Sequence, residues 1–557
     1  MRFQARALQA SLILTSAFSV CARVVVNNNN NNRPRSNDEQ LQQQQCRQTT
    51  VAILGAGVAG ITAAQALANA SISDFVIVET NDHIGGRAYH TTFGQKEDGS
   101  PYVIELGANW VQGLGSEGGP ENPVWTLAKK YNITNQYSNY SSILTYNETG
   151  FADYADLLDQ ADAASSTVAQ YAGYILTENL QDVSARAGFS LAGWKPKKNP
   201  AAQAAEWWTW DFESAYSPDQ SGLLYGVANS NATWNQFSDE DNFVLDQRGF
   251  NAWIIGEAST FLTANDSRLL LNTTVKEIAY GVDGVTVTND DGSCIKASYA
   301  ITTFSLGVLQ NDVITFTPEL PDWKKLAIST FDMGTYTKIF FQFNTTFWPT
   351  DTQYFLYADP SRRGYYPIWQ SLSTPGFLPD SHIIFATVVG DESYRVEAQS
   401  DAQTQAEALA VLREMFPHAD VPEPSAFTYP RWSLEPWTHG SYSNWPVGVS
   451  LEMHQNLRAN VDRLWFAGEA NSAEYFGFLH GAWFEGRDVG ERVAGLVQSG
   501  GGGGGGDGGC VNTEADGNKT GACGEMRRYE VLRGTTPDEA YDIANGWMAS
   551  SFLTYGL

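Results

Sequence analysis

The feature that most constrains this chain is a strand, a glycine-rich turn and a helix within residues 50–69. The apolar run at 50–54 predicts a buried parallel strand, and Gly55, Gly57 and Gly60 follow it at once in a G-x-G-x-x-G spacing. The first glycine permits a tight turn, the second lets the backbone approach a pyrophosphate, and the third lets the helix pack close to the strand. This spacing predicts a dinucleotide on a helix N-terminus.

A second strand and two further groups extend this unit. Residues 75–78 are apolar and predict the strand, and Glu79 after it stands 19 residues past Gly60. That is the position of a ribose-hydroxyl acceptor in a dinucleotide-binding βαβ unit. Gly86 then precedes Arg87, and a glycine followed by a cation can approach and neutralise the pyrophosphate from its other side.

The far end of the chain carries a matching pattern. A predicted strand ends in Gly468 and Glu469, and Gly477 and Phe478 precede a predicted helix at 480–497. The positive end of such a helix stabilises negative charge on a bound group.

These motifs together resemble the flavin monoamine oxidase family, and most specifically its secreted plant-type polyamine oxidases and their fungal relatives. The resemblance spans about residues 50–497, and supporting stretches lie at 246–249, 305–309, 336–340, 361–366 and 443–448. It implies FAD as cofactor. It also implies oxidation of spermine, spermidine or acetylated forms at a carbon next to a secondary amine. O2 would be reduced to H2O2, and the imine would be hydrolysed to an aldehyde and an amine.

The resemblance also implies which residues hold FAD. Glu469 would meet the ribityl chain, and the helix after Gly477 would face the flavin pyrimidine. The expected cofactor-binding residues are Gly55, Gly57, Gly60, Glu79, Gly86, Arg87, Asn109, Trp110, Val275, Trp432, Glu469, Gly477 and Phe478.

Lys338 and Tyr336 are the expected catalytic residues. Strand alternation places Lys338 on one face with Tyr336 and Phe340. A lysine in a strand is more often a solvated edge residue, but the resemblance implies that Lys338 holds a water near flavin N5. Desolvation beside an aromatic wall lowers the pKa of an amine. We therefore expect Lys338 to assist flavin reoxidation or the handling of the imine.

The expected substrate-binding residues are Glu213, Gln112, Tyr442 and Phe478. Glu213 matches a tunnel glutamate of the family and sits in the aromatic stretch 207–216. The simpler alternative is a carboxylate that solvates a loop. Gln112 replaces a glutamate common in the plant members, which weakens the case for a long, fully charged polyamine. Phe478 stands where the plant members have a tyrosine, and Tyr442 stands where they have a phenylalanine. The two walls beside the flavin would therefore stay aromatic.

The patterning along the chain predicts a mixed α/β protein of two interleaved domains. Strand and helix signals alternate between 50 and 497, and short strands cluster at 270–310. We expect a Rossmann-type FAD-binding domain at 49–134, 246–330 and 438–498. A substrate-binding domain of mixed sheet plus helices would occupy 135–245 and 331–437. Residues 1–22 read as a signal peptide, 23–48 as a low-complexity spacer, and 499–557 as a glycine-rich linker and polar tail.

The excess of acidic residues limits which ligands and partners this chain can bind. Thirty-four Lys and Arg face 62 Asp and Glu, a formal net charge of -28, which excludes a chain that binds nucleic acid through a basic surface. A negative field suits a small cation such as a polyamine. With O2 these are the expected partners, and we expect a monomer. Beyond the leader no apolar run is long enough to span a membrane, and no spacing of ligand residues predicts a metal.

The leader and the asparagine sequons predict an extracellular or cell-wall glycoprotein. Nine Asn-x-Ser/Thr sequons begin at Asn69, Asn132, Asn139, Asn147, Asn231, Asn265, Asn272, Asn344 and Asn518. Four cysteines remain after cleavage of the leader: Cys46, Cys294, Cys510 and Cys523. Of these, Cys510 and Cys523 can close a small loop in the tail.

Two other functions fit part of the pattern. A secreted flavin L-amino-acid oxidase needs a cation that clamps a carboxylate. Arg362 and Arg363 are available in principle, but the resemblance places them away from that role. A catalytically idle flavoprotein that binds polyamines would keep the same motifs, although the retained Lys338 favours an active enzyme.

Overall fold

The computed structural model describes residues 45–177 and 180–500, together with Met526 and Arg528. The predicted signal peptide at 1–22 and residues 23–44 of the predicted spacer lie outside this range. The sequon at Asn518 and the pair Cys510 and Cys523 lie outside it as well, so these remain predictions.

Strands and helices alternate along the described chain. The strands are β1 (Arg47–Leu54), β2 (Phe75–Val78), β3 (His90–Phe93), β4 (Tyr102–Glu105), β5 (Trp110–Gln112), β6 (Asn135–Tyr137), β7 (Ile143–Asn147), β8 (Gly150–Phe151), β9 (Asp241–Val244), β10 (Leu269–Leu270), β11 (Val275–Gly281), β12 (Gly284–Asn289), β13 (Cys294–Thr302), β14 (Thr315–Thr317), β15 (Asp332–Gly334), β16 (Tyr336–Gln342), β17 (Tyr354–Ala358), β18 (Ile368–Ser371), β19 (Ile383–Val389), β20 (Ala426–Thr428), β21 (Tyr442–Asn444) and β22 (Leu464–Phe466).

The helices fill the intervals between these strands. They are α1 (Val58–Asn69), α2 (Pro123–Lys130), α3 (Ala155–Thr177), α4 (Ala185–Leu191), α5 (Pro200–Glu206), α6 (Phe212–Ser214), α7 (Leu223–Ser230), α8 (Ala252–Ala258), α9 (Leu306–Gln310), α10 (Asp322–Thr330), α11 (Gly390–Glu397), α12 (Asp401–Met415), α13 (Leu451–Arg458) and α14 (Leu479–Gln498). Two π-helical turns, Trp207–Asp211 and Asn231–Asn235, continue α5 and α7, and a 3₁₀ turn spans Glu469–Asn471.

The first sheet is built around β1. This strand runs parallel to β2 on one side and to β13 on the other, with Ile53 opposite Ile77 and Ile301. The full order is β10-β2-β1-β13-β12-β11-β14, and β22 also pairs in parallel with β13. The carboxyl ends of β1, β2, β13 and β22 therefore meet at one edge, which is where open α/β sheets bind their ligands.

Helices α1 and α14 pack closely beside this sheet. A Cβ on Gly486 would lie 2.3 Å from the carbonyl oxygen of Ala59, and one on Gly490 would lie 2.7 Å from that of Ala63. The two glycines thus let the helices approach almost backbone to backbone. The last helix, α14, therefore packs directly against the first helix, α1.

The second sheet has the order β20-β16-β19-β18-β17-β7-β8. Strands β17, β18 and β19 are buried throughout, because the sheet lies between packed aromatic and aliphatic side chains. The interior strand β16 carries Tyr336 and Lys338, and Lys338 pairs with Thr387 of β19. The lysine is therefore a core position and not the solvated edge residue that a strand lysine more often is.

The strands of the two sheets come from interleaved parts of the chain. The first sheet takes segments from 47–78, 269–317 and 464–466, whereas the second takes segments from 143–151, 336–389 and 426–428. This supports the predicted mixed α/β architecture; the domain boundaries themselves stay predictions. None of the helices in the described part of the chain is long and apolar enough to cross a membrane.

The start of β1 differs from its predicted position. The strand begins at Arg47, inside the predicted spacer, and a disulfide joins Cys46 to Cys294 at the start of β13. Arg47 and Gln48 pair with Ile295 and Lys296, so the ladder continues through polar residues that show no apolar pattern. Backbone pairing and the disulfide explain why apolar patterning predicted the strand too late.

Candidate active site

The glycine-rich turn lies at the carboxyl edge of the first sheet. Gly55 has a φ of +114°, a conformation that glycine alone adopts readily. A Cβ on Gly60 would lie 2.0 Å from the carbonyl oxygen of Gly55, so α1 begins in direct contact with the turn. A Cβ on Gly57 would come within 3.9 Å of the Gly86 Cα. Two glycine backbones thus form a cradle at the N-terminus of α1, which suits a phosphate.

Glu79 lies beside this cradle at the end of β2. One carboxylate oxygen accepts a hydrogen bond from the Ala56 backbone N–H at 2.8 Å, and the other accepts from the Asn81 N–H at 2.9 Å. The side chain is buried and lines the same cavity as the glycines. Its carboxylate is thereby fixed where the predicted ribose contact would be made.

One cavity of about 980 Å³ connects the glycine cradle with the second sheet. Its lining includes nearly all of the predicted cofactor-binding, substrate-binding and catalytic residues: Gly55, Gly57, Glu79, Gly86, Arg87, Asn109, Trp110, Gln112, Glu213, Val275, Tyr336, Trp432, Tyr442, Glu469, Gly477 and Phe478. Gly60 and Lys338 are the two predicted site residues that lie behind the lining. Residues distant in sequence therefore converge on one space.

Arg87 and Glu469, predicted to bind different parts of the cofactor, contact each other. The guanidinium donates to the Glu469 carboxylate at 2.9 Å and to the Ser441 carbonyl oxygen at 2.9 Å. The other Glu469 oxygen accepts from the backbone N–H of Ser443 at 2.9 Å and of Gly477 at 2.7 Å. Both side chains are held in place by protein groups, and the charge of Arg87 is partly balanced within the protein.

Phe478 stands at the N-terminus of α14, as its N-cap residue. Its ring is stacked on His480, with centroids 5.0 Å apart. His480 is bonded to Asn122 at 3.3 Å and to Thr233 at 3.1 Å, and burial lowers its pKa to about 3. The imidazole is therefore neutral, and it fixes the Phe478 wall. Apart from its position at the start of a predicted helix, no pattern in the sequence indicates this role of His480.

Lys338 lies directly behind the cavity wall. It is 1% exposed, and its ammonium group donates to the Gly107 carbonyl oxygen at 2.9 Å and to Asn109 Oδ1 at 2.7 Å. Both acceptors belong to residues that line the cavity. Desolvation lowers the pKa of Lys338 to about 7, although the Glu105 carboxylate opposes the shift. Desolvation is also the cause that we expected from the sequence for a lowered pKa of this amine.

Glu213 projects from α6, just after the π-helical turn. Its Oε1 accepts a hydrogen bond from the Gln112 amide at 2.7 Å, and the Tyr442 hydroxyl donates to its backbone carbonyl oxygen at 2.8 Å. Burial raises the pKa of Glu213 to about 8, and nearby Asp241 adds to the rise. The carboxyl group therefore stands in the cavity and does not solvate a loop. It can meet a cation once it is ionised.

Aromatic rings form the walls beside Glu213. Tyr336 lies 6.0 Å from Phe212 and 6.0 Å from Tyr442, measured between ring centroids. Burial raises the pKa of Tyr336 and of Tyr442 well above that of a free phenol, so both hydroxyls stay protonated. A narrow aromatic space with one acidic group suits an aliphatic cation.

The two arginines considered for a carboxylate clamp are both engaged with protein acids. Arg363 donates to both oxygens of Asp211, at 2.6 Å and 2.7 Å, and to Glu206 at 3.0 Å. Arg362 pairs with Glu392 at 2.8 Å. Arg363 thus fixes the π-helical turn that leads to Glu213, and it is not free to bind a substrate carboxylate.

Two residues near the site were not predicted from the sequence. Tyr140 lines the cavity and donates its hydroxyl to Asp241 at 2.9 Å. Asp241 also accepts from the Gly113 N–H at 3.0 Å and from Trp234 at 2.8 Å. Asp241 lies opposite Gln112 in the β5–β9 ladder, so only strand pairing, and no local motif, brings it to the site.

A family model for flavin-containing amine oxidoreductases matches residues 58–494. This match begins at Val58, the first residue of α1, and runs through the later strands of both sheets into α14. The chain belongs to the flavin-containing amine oxidoreductase family. It is an amine oxidoreductase, and its cofactor is FAD.

Two plant relatives are similar over most of their length. Polyamine oxidase 7 of Oryza sativa subsp. japonica is 39% identical, over 78% of this chain and 93% of its own. Polyamine oxidase 1 of Zea mays is 38% identical, over 80% of this chain and 91% of its own. A solved structure of a redesigned putrescine oxidase matches with a TM-score of 0.64 at 20% identity, over 81% of this chain and 99% of its own, and shows the same fold.

The residues at the cavity fit this cofactor. The cradle of Gly57 and Gly86 has room for a phosphate that a Cβ would fill, and Arg87 supplies a cation beside it. Among the described residues no group of histidines, cysteines and acids is placed to hold a metal ion. Bound FAD would accept the hydride, and orientation of the amine would be left to the surrounding side chains.

Proposed function

We propose that this protein oxidises polyamines, namely spermine, spermidine or their acetylated forms. A carbon next to a secondary nitrogen gives up a hydride, and the resulting imine is hydrolysed to an aldehyde and an amine. O2 takes the two electrons and leaves as H2O2. The observation that carries this proposal is the Glu213 carboxyl group, half-buried between aromatic walls in the same cavity as the dinucleotide cradle.

The residues in and behind the cavity wall have separate roles in this proposal. Glu213, once ionised, pairs with an ammonium group of the substrate, and the rings of Tyr336, Tyr442 and Phe478 cover its methylene chain. The amine that reacts must be neutral, because its lone pair stabilises the developing C=N bond. Lys338, with a pKa of about 7, is the basic group best placed behind this wall to take up a proton.

Gln112 affects which polyamine suits the site. Its amide donates to Glu213 where the plant enzymes of the resembled family often carry a second carboxylate. A neutral amide removes one negative charge from the tunnel. We therefore expect acetylated or shorter substrates to compete better here than in a tunnel with two acids.

The deciding experiment is anaerobic mixing of the purified holoprotein with spermine, spermidine, N-acetylspermine and L-amino acids. Bleaching of the visible flavin absorbance by a polyamine, followed by peroxide on admission of air, supports the proposal and ranks the substrates. Bleaching by amino acids alone points to an L-amino-acid oxidase. Bleaching by none of them, in protein that retains its yellow colour, favours an idle flavoprotein.

We also propose that the protein is secreted and glycosylated. The Cys46–Cys294 disulfide suits an oxidising compartment. Five sequon asparagines are exposed in the structure: Asn69, Asn132, Asn265, Asn272 and Asn344. Expression in a eukaryotic host tests this: the protein should reach the medium and lose mass on treatment with an N-glycosidase. Retention inside the cells without any glycan would refute it.

A further inference from the structure

The carboxyl group of Glu105 is buried, interacts electrostatically with Lys338, and takes no part in the reaction proposed above. Glu105 ends β4 and is 4% exposed. Its Oε1 accepts a hydrogen bond from the Phe250 backbone N–H at 2.6 Å. Within the described part of the chain, its Oε2 is buried and has no hydrogen-bond partner. A buried, half-satisfied carboxyl group is costly and calls for an explanation.

A small cavity connects Glu105 with the contacts of Lys338. Its volume is about 10 Å³, which is close to the space that one water molecule needs. Glu105, Asn109 and Phe340 all line it. Asn109 Oδ1 is also an acceptor of the Lys338 ammonium group, at 2.7 Å. Glu105 thus shares a water-sized space with Asn109, the side chain that accepts a hydrogen bond from the lysine.

The charges around the two groups favour a shared proton. Desolvation lowers the pKa of Lys338 to about 7 and raises the pKa of Glu105 to about 7, while each group's charge pulls the other toward its ionised form. Glu105 is the charged side chain that acts on Lys338 among the described residues. Asp246 also faces Glu105, but Arg248 pairs with it at 2.7 Å. Two buried groups of this kind titrate as a pair.

The hydrogen bonds of Lys338 fit both forms of that pair. Its two observed bonds, to Gly107 and Asn109, use two N–H groups. The third tetrahedral position carries a proton in the ammonium form and a lone pair in the amine form. A proton that leaves this position for Glu105 Oε2 converts an ion pair into two neutral groups. The net charge of the buried region does not change, so the transfer avoids burying an isolated charge.

We propose that Glu105 is a positioning residue for the reaction: it holds the proton that Lys338 gives up, passed through the small cavity beside Asn109, and so sets the protonation state of the lysine. This inference rests on the proposed function, in which Lys338 exchanges a proton with the imine or the reoxidised flavin. The substitution that tests it is Glu105→Gln, which keeps the shape and removes the charge. Glu105→Asp is the matched variant that keeps the charge.

The first readout is the pH dependence of flavin bleaching by spermine and of reoxidation by air. In the parent, we expect the plot of these rates against pH to show one sloping limb near neutrality. Lys338→Met should abolish that limb. Loss of the Glu105 charge should move this limb down by about one pH unit or more, because only desolvation then acts on the amine. Glu105→Asp, which keeps the charge, should leave the limb close to its position in the parent. An unmoved limb in Glu105→Gln protein that binds FAD normally would overturn the proposal.

The second readout does not require turnover. Infrared difference spectra of the holoprotein between about pH 5 and about pH 9 should show a protonated carboxyl band that Glu105→Gln removes. Lys338→Met should make that band persist to higher pH, since the carboxylate has lost its cation. This reciprocal shift remains measurable if Glu105→Gln fails to fold, and its absence would overturn the proposal. If no amine bleaches the parent, the proposed function fails while the infrared test still decides on the pair.

Discussion

Replacement of Glu213 by glutamine tests how the buried carboxyl group recognises a cation. In the free enzyme its pKa is about 8, so at pH 7 only about one molecule in eleven carries the carboxylate. A cationic ligand requires the ionised form. Binding at pH 7 should therefore release about 0.9 proton per ligand, and affinity should rise about tenfold between pH 7 and pH 9.

The same shift predicts a stability difference. The folded-state pKa is raised from 4.5 to about 8, so the folded form binds the proton more tightly than the unfolded chain. Stability should then fall as pH rises from about 4.5 to about 8, by up to about 5 kcal/mol, and stay level above that. Because glutamine does not titrate, Glu213→Gln removes this loss of folding stability at high pH. The variant should melt higher than the parent at about pH 9 and similarly at about pH 5.

Calorimetric titration with an alkyl guanidine measures the proton release directly. A guanidinium stays charged throughout this range, and the dependence of the heat on the ionisation enthalpy of the buffer gives the number of protons. Glu213→Gln should bind weakly and release none. Proton release that is absent from the parent, or unchanged in the variant, would show that another group meets the cation.

Three further predictions follow from contacts in the structure. Arg363→Met should destabilise the fold by about 3 to 5 kcal/mol and raise KM, because it strands the buried Asp211 carboxylate in the turn that leads to the cavity, whereas Glu206 keeps its pair with Arg186. Its neighbour provides the control: Arg362→Met breaks a partly exposed pair and should cost about 1 kcal/mol or less in thermal melts. Gly60→Ala should yield colourless protein, since its Cβ would meet the Gly55 carbonyl oxygen at 2.0 Å, whereas Gly281→Ala meets nothing within 4 Å and should bind FAD normally. Cys46→Ser opens a loop spanning 248 residues and should lower the free energy of unfolding by up to about 5 kcal/mol, detectable as a lower Tm that matches the reduced parent.

Patterns of neighbouring residues correctly predicted those strands, turns and helices that depend mainly on local sequence. The strand at Phe75–Val78 was predicted with its observed bounds, because four apolar residues stand between polar ones. The turn at Gly55 followed from glycine's backbone freedom, and α14 followed from its apolar periodicity. Resemblance, and not the pattern, identified Lys338, since a lysine in a strand carries no local sign of burial.

Contacts between distant segments could not be predicted in this way. The Cys46–Cys294 disulfide depends on the register of β1 against β13, which no spacing reveals. The raised pKa of Glu213 depends on enclosure by rings from several segments and on Asp241 across a ladder. Arg363 looked available for a ligand until its two acidic partners, more than 150 residues earlier in the chain, were located. Each of these is a property of packing.

The threading of the first sheet affects how the chain is made. β1 needs β13 on one side, and β13 needs β22, which leaves the ribosome about 410 residues after Leu54. At ordinary rates of synthesis that interval is about 20 to 80 s. Helix α14, which covers α1, is completed later still. The earliest strand, β1, therefore waits for β13, which begins about 240 residues after Leu54, and the Ala300–Thr302 end of β13 stays without its β22 partner until translation passes Phe466. The carboxyl edge of this sheet, where the glycine-rich turn lies, is thus completed only late in synthesis.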